Sequence, residues 1–240
     1  MPSDVIIDTD PGVDDAMALL YALSSPELVV RALITVHGNS TVQSSTRNLA
    51  TLLEAVQRHR DILGSDESDW HRPVVAVGAE SPLKVLRYDA EYFHGDDALG
   101  GVHSSHPHWT RELLLPDDVV PPHALYDISE RDGPDEILHQ LRTRPAHTVT
   151  LIAIGPLTNI ALAIERDAQT FARVRRVICL GGALLVQGNV TPAAEFNFWA
   201  DPHAAETTLQ QTSPDTPEEE RVEVVLVPQD GKQQLPMLWQ

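Results

Sequence analysis

Apolar positions along the chain switch repeatedly between two periods, and the switching predicts the architecture. Val5-Ile6-Ile7 is an apolar run of strand length. Over 13–23 the apolar residues fall at Val13, Ala16, Met17, Leu19, Leu20 and Leu23, the spacing of a helix with one buried face. Residues 28–36 (LVVRALITV) are apolar on both sides of the pleat, as in a parallel strand covered on both faces. Helical spacing returns over 42–56 through Leu49, Leu52, Leu53 and Val56, and 74–77 is a third strand. A long stretch, 80–133, is rich in His, Pro and Asp and predicts loops with short helices, the kind of segment that borders a site. Order resumes with a helix over 136–141, a strand over 149–154 and a helix (LTNIALAI) opened by Pro156. A strand over 177–180 then ends in Gly181-Gly182, followed by a helix over 202–209 and a last strand over 222–227. Strands alternating with helices predict an α/β fold with a mostly parallel central sheet flanked by helices. We expect one domain over 1–228, since no repeat or linker interrupts it, and an irregular tail over 229–240, where neither period holds.

Composition narrows the class. Hydrophobic residues make up 42%, enough for a substantial core. Asp and Glu number 35 against 17 Lys and Arg, a net charge of −18, which argues against nucleic-acid and anionic-membrane partners and favours cations. The single cysteine, Cys179, excludes an intrachain disulfide and any multi-cysteine zinc site. The opening residues MPSDVIID lack a basic leader, and no apolar run approaches the ~18 residues of a membrane span, so a soluble, cytoplasmic protein is expected.

The acidic excess is concentrated in three short segments, 4–15, 89–97 and 213–223. The last, SPDTPEEE and its neighbours, reads as a solvated loop. The first follows an apolar strand. In Asp8-Thr9-Asp10-Pro11-Gly12-Val13-Asp14-Asp15, two aspartates sit at the carboxyl end of that strand, where α/β folds place ligands, and two fall in the first helical turn. An N-cap and the helix dipole account for one or two acids there. Four within eight residues repel one another unless a cation sits among them, which points to a hard, oxygen-seeking ion such as calcium or magnesium. A phosphotransfer Asp-x-Asp motif is the rival reading, and the Pro-Gly turn followed by Asp-Asp is unlike it.

Other polar residues have structural readings beside functional ones. Asn39 after Gly38 suits a turn, Asn159 suits helix structure in PLTN, and Asp201 before Pro202 suits a helix N-cap. Glu195 and Asn197 flank Phe196, and strand-like alternation puts both on one face. His94, His103, His106 and His108 fall within fifteen residues, yet no cysteine lies near, so a lid over the ligand is favoured over a transition-metal site.

DTDPGVDDA at 8–16 resembles the amino-terminal signature of the inosine–uridine-preferring nucleoside hydrolases. Three more segments agree in order: Val36-His37-Gly38-Asn39, Ile154-Gly155-Pro156-Leu157-Thr158-Asn159, and Gly188-Asn189-Val190-Thr191-Pro192-Ala193-Ala194-Glu195-Phe196-Asn197 with Ala200-Asp201-Pro202. The resemblance implies a Rossmann-like fold and calcium-dependent (Ca2+) hydrolysis of the N-glycosidic bond of ribonucleosides, giving ribose and free base in nucleoside catabolism and salvage. It implies that Asp10, Asp15 and the Ile154 backbone carbonyl ligate calcium and that Asp10 is the base taking the water's proton. Asp14 and Asn39 match ribose contacts, Asn189, Glu195 and Asn197 match residues holding the 5′- and 3′-hydroxyls, and His94 matches a loop near the base pocket. The family's homo-oligomers imply the same here. One element has no counterpart: the family's later His-Asp-Pro segment, which supplies a proton to the leaving base and a further ligand to calcium. Where the family strand runs into Leu-Asp-x-Thr-His, this chain runs into Gln229-Asp230-Gly231, and only Asp230 matches. The expectation is therefore a carboxy-terminally shortened hydrolase with low or no activity. Its rivals are an active enzyme using His94 or His103 as substitute acid, a non-catalytic nucleoside- or ribose-binding relative, and an inactive truncated product. Base preference falls to loops near 80–110.

Overall fold

The computed structural model describes residues 2–65, 70–112 and 125–233. Its strands are β1 (Ser3–Thr9), β2 (Leu28–Thr35), β3 (Val74–Val77), β4 (Asp127–Ile128), β5 (Val149–Ala153), β6 (Arg176–Leu180) and β7 (Val224–Val227). They form one seven-stranded sheet in the order β4-β3-β2-β1-β5-β6-β7, every neighbour parallel. The chain first builds outward from β1 to β4, then returns to β1's other side and builds outward from β5 to β7. The strand order therefore reverses between β1 and β5, and the carboxyl ends of those two strands open the crevice in which such sheets bind ligands.

Alternation along the strands feeds two cores. Ile6, Ala32, Ile34 and Leu151 point to one face, where they pack with Ile137, Leu141, Ile160 and Phe171 from α5 (Gly133–Thr143), α6 (Thr158–Arg166) and α7 (Ala168–Phe171). Val5, Ile7, Leu33 and Val75 point to the other, under Leu19 of α1 (Val13–Ser24) and Leu49 and Leu53 of α2 (Val42–Leu63). Ile6, Leu33 and Leu151 are fully buried, each contributing about 1.5–3 kcal/mol of burial.

Several elements depart from the pattern. α2 runs seven residues past 56 because Glu54–Arg58 and Gln57–Asp61 pairs support its polar end, and Gly64, at φ +62°, closes it in the left-handed conformation. The stretch 80–133 holds α3 (Glu91–His94), α4 (Val102–Ser105) and the short strand β4; its residues 113–124 lie outside the described part. Glu195-Phe196-Asn197 is not strand-like: Glu195 caps α8 (Phe196–Ala200), and α9 (Pro202–Gln210) follows. The tail begins as a helix, α10 (Gln229–Gln233), rather than irregular chain; 234–240 lie outside the described residues. Among the described residues no helix is long and apolar enough to cross a membrane.

Candidate active site

β1 delivers Asp8 and Asp10 to the crevice, and α1 starts three residues later. Gly12 opens α1, and its N–H donates to Asp15 Oδ2 at 3.1 Å while the Thr9 hydroxyl donates to Asp15 Oδ1 at 2.8 Å. Asn39, in the turn after β2, joins the two ends of this loop. Its backbone N–H donates to Asp10 Oδ2 at 2.7 Å, and its side-chain Nδ2 donates to the Asp10 carbonyl at 3.0 Å and to Asp15 Oδ2 at 3.2 Å. Asp8 is tied to Asn159 Nδ2 at 2.7 Å, and the same Nδ2 reaches the Thr35 carbonyl at 3.0 Å. Asn159 is thus a fully buried strut that ties α6 to β1, the end of β2 and the Ala79 N–H, rather than a residue serving its own helix as the sequence suggests.

Asp8 and Asp10 are fully buried and Asp15 nearly so. Burial, reinforced by the mutual repulsion of the carboxylates, pushes Asp8 up to about 8 and Asp15 up to about 6, and holds Asp10 well above the usual carboxylate range. Asp8 Oδ1 and Asp10 Oδ1 are buried without a hydrogen-bond partner. Glycines let the backbone close on Asp10: a Cβ on Gly155 would sit 2.6 Å from Asp10 Oδ1. Glu195 stays buried nearby, and the Ile154 carbonyl lies at the β5 end. Paired carboxylates with an orphaned buried oxygen and an adjacent carbonyl are donors of the kind a hard cation takes, so Asp10, Asp15 and Ile154 are the residues that could hold one.

A cleft of ≈240 Å³ opens above this floor, lined by Asp14, Asp15, Asn39, His94, Ile154, Asn189, Glu195 and Asn197. The fold thus brings together every sequence-predicted site residue around it except Asp10, which lies sealed beneath. Asp14 and Asn189 are exposed at its edge. His94 is buried, its Nδ1 accepting from Val13 N–H at 3.4 Å and its Nε2 3.9 Å from Asp14 Oδ1.

Hydrogen bonds to the protein fix which atoms face the cleft. Asn197 Nδ2 donates to the Ile154 and Leu180 carbonyls, both at 2.9 Å, so its orientation is set and Oδ1 is the atom left over. Glu195 Oε2 accepts from Gly182 N–H at 3.0 Å and Phe198 N–H at 3.3 Å, leaving Oε1. Asn39 spends Nδ2 on Asp10 and Asp15, leaving Oδ1. Strand alternation did not bring Glu195 and Asn197 here; the first turn of α8 did. The Ile154 carbonyl shares its oxygen with Asn197, so one lone pair remains for a cation.

The sequence profile described as "Inosine-uridine preferring nucleoside hydrolase" matches residues 5–238. The chain belongs to that family. Uridine nucleosidase 1 of Arabidopsis thaliana is 37% identical over 206 residues, covering 85% of this chain and 52% of that protein. The pyrimidine-specific ribonucleoside hydrolase RihA of Salmonella enteritidis is 34% identical over 214 residues, 89% of this chain and 59% of that protein. Among solved structures, a plant nucleoside hydrolase (PpNRh1) superposes with a TM-score of 0.72 at 34% identity, covering 96% of this chain and 61% of that one. The chain spans little more than half the length of these relatives.

Within that family frame, some residues fall where sequence reasoning did not put them. Tyr92 and Phe93 stand exposed at the cleft rim, and Phe196 lines its wall. The run Tyr92-Phe93-His94 was their only local signal. His103 is not in the cleft; it bonds Asn48 and Thr110. Among the described residues no three His, Cys, Asp or Glu side chains group as a ready metal cluster, and this includes the histidines of 94–108. Asp230 accepts from Leu184 and Leu185 N–H, pinning the loop after β6. His37, fully buried, meets the Thr158 hydroxyl at 3.0 Å, and that hydroxyl donates to Asp201 Oδ2 at 2.8 Å.

Proposed function

We propose that the chain hydrolyses the N-glycosidic bond of ribonucleosides to ribose and free base, with calcium held by Asp10, Asp15 and the Ile154 carbonyl. The observation that carries this reading is the polarity of the cleft. Asn39 Oδ1, Glu195 Oε1, Asn197 Oδ1 and the Asp14 carboxylate are all acceptors, set over a buried unpaired carboxylate oxygen. Such a wall suits a ligand that presents several hydroxyl donors, and a sugar does. Tyr92 and Phe93 at the rim offer flat apolar surface to a planar base.

The chemistry follows from these positions. Bound calcium would lower the pKa of a ligated water and orient the sugar diol. Asp10 is the carboxylate assigned to accept the water's proton. Positive charge builds on the sugar as the bond to the base lengthens, and the surrounding carboxylate and amide oxygens stabilise it. His94 Nδ1 accepts from Val13, which leaves Nε2 carrying the ring proton beside the cleft, and His94 is the residue placed to donate to the departing base. Uridine and inosine are the substrates to test, with base release followed in the presence of calcium. Asp10→Asn is expected to lower turnover by about 10²–10⁴-fold, the usual worth of general acid–base catalysis. Absence of base release by the wild-type chain overturns the hydrolase reading. The second reading, ribose binding without turnover, draws on the same acceptor wall, and calorimetric ribose binding by a catalytically silent chain supports it.

A further inference from the structure

Asn48 lies on α2, fully buried, and neither the family resemblance nor the cleft lining involves it. Its Nδ2 donates to the Pro11 carbonyl at 2.9 Å and to the Asp97 carbonyl at 2.9 Å. Carbonyls only accept, so the amide cannot be flipped, and Oδ1 must be the acceptor for the His103 Nε2 that lies 2.7 Å away. His103 Nε2 therefore carries the proton, and Nδ1 receives the Thr110 hydroxyl at 2.9 Å. All the hydrogen-bonding capacity that the amide nitrogen offers is spent between two otherwise separate segments.

The first is the turn Asp10-Pro11-Gly12, which carries the buried carboxylate. The second is 94–103. It is knotted on itself, because Asp97 accepts from Leu99, Gly101 and His103 N–H at 2.8–2.9 Å and Gly100 N–H donates to the His94 carbonyl at 2.9 Å. A segment so cross-bonded moves as a unit, and its polar ties to the aspartate turn and the start of α1 include Asn48, the longer Val13–His94 contact of 3.4 Å and the 3.9 Å approach of His94 Nε2 to Asp14 Oδ1.

We propose that Asn48 is a positioning residue that locks the His94-bearing segment 94–103 to the aspartate-bearing turn, fixing the distance between two walls of the cleft. It acts through Pro11, Asp97 and His103 and touches no ligand. Its consequence for turnover rests on the hydrolase reading above; its consequence for the segment does not.

Amide hydrogen exchange of the full chain tests the lock directly. Asn48→Leu is expected to speed exchange across 95–103 by about tenfold or more while amides of β1 and β5 stay at wild-type rates. His103→Leu is expected to act in the same direction more weakly, with His103→Gln, which keeps a donor for Asn48, returning toward wild type. In turnover, Asn48→Leu is expected to lower kcat/KM for uridine or inosine about tenfold with a fall in kcat, because His94 is the donor to the departing base, while His103→Gln stays within about threefold of wild type, a rescue that general destabilisation does not produce. Uniform acceleration along the chain, or unchanged exchange over 95–103, overturns the proposal. If Asn48→Leu fails to fold, the two His103 variants decide by the same criterion. Loosened exchange with kcat/KM unchanged overturns the positioning role, and a wild-type chain that releases no base overturns the hydrolase reading alone.

Discussion

At the scale of single residues, the candidate site is a balance between a buried charge and what closes on it. Asp10 is sealed from solvent, repelled by Asp15, and left with one oxygen unpaired. In calcium-free protein that arrangement destabilises the fold, so calcium is expected to raise the wild-type melting temperature, and Asp10→Asn is expected to raise the apo melting temperature and to abolish that response. Scanning calorimetry with and without calcium reads both. Gly155 is the complementary case. A methyl there would stand 2.6 Å from Asp10 Oδ1 and 2.9 Å from Val36 Cγ1, so Gly155→Ala must push the carboxylate aside. Calcium affinity measured by titration calorimetry is expected to fall at least about tenfold, with an overpacking cost of about 1–3 kcal/mol in a urea melt. The four aspartates were legible as a candidate cation site because such charge density calls for a counter-ion. The role of Gly155 was not, since a glycine before Pro156 gives no sign of which side chain presses against it.

At the scale of elements, the site is held by caps that do more than end helices. Asp201 Oδ1 accepts from Ala204 N–H at the start of α9, as Asp-Pro predicts, while Oδ2 accepts from Leu83 N–H at 2.9 Å and from Thr158. One carboxylate thus fastens α9, α6 and the loop that runs to the cleft rim. Asp201→Ala is expected to cost about 2–4 kcal/mol, the loss of a cap plus one buried and one half-buried donor left unmet, measured as a shift of the urea midpoint. The cap was readable from two adjacent residues. The other two bonds span distant parts of the chain and leave no local trace. The same limit explains α8. Glu195-Phe196-Asn197-Phe198-Trp199 is too short to show a helical period, and polar–apolar alternation suggests a strand instead. Its packing beside the ends of β5 and β6, through Asn197 on the Ile154 and Leu180 carbonyls, is what makes it a helix.

At the scale of the whole molecule, global stability records buried ionisable groups with opposite signs. Burial pushes His37 down to about 4, opposed by nearby Asp201 and aided by Arg87. The unfolded chain takes up this proton below about 6.5 and the folded chain only near 4, so this stability is complete above that window and is lost as pH falls through it, by about 3 kcal/mol. Asp8 and Asp15 work the other way: raised in the folded state to about 8 and about 6, they withdraw stability as pH climbs from the ordinary carboxylate value of 3.8 up to those values in calcium-free protein. Comparing wild type with His37→Gln isolates the histidine, and the wild type is expected to lose more stability between pH 7 and 4.5. Equal losses in the two proteins contradict the assignment.

The sequence by itself determined every described strand except β4, together with the five long helices α1, α2, α5, α6 and α9, because hydrophobic period, turn residues and charge density are local quantities. Tertiary structure decided which motifs share a site. Asp10, Asn39, Ile154 and Asn197 lie far apart along the chain and meet because a parallel sheet whose order reverses between β1 and β5 sets those strand ends side by side. It also decided what each polar group presents to a ligand. Asn39 and Asn197 carry both donors and acceptors in sequence, and only the carbonyls and carboxylates packed against their amide nitrogens leave the cleft lined with oxygen.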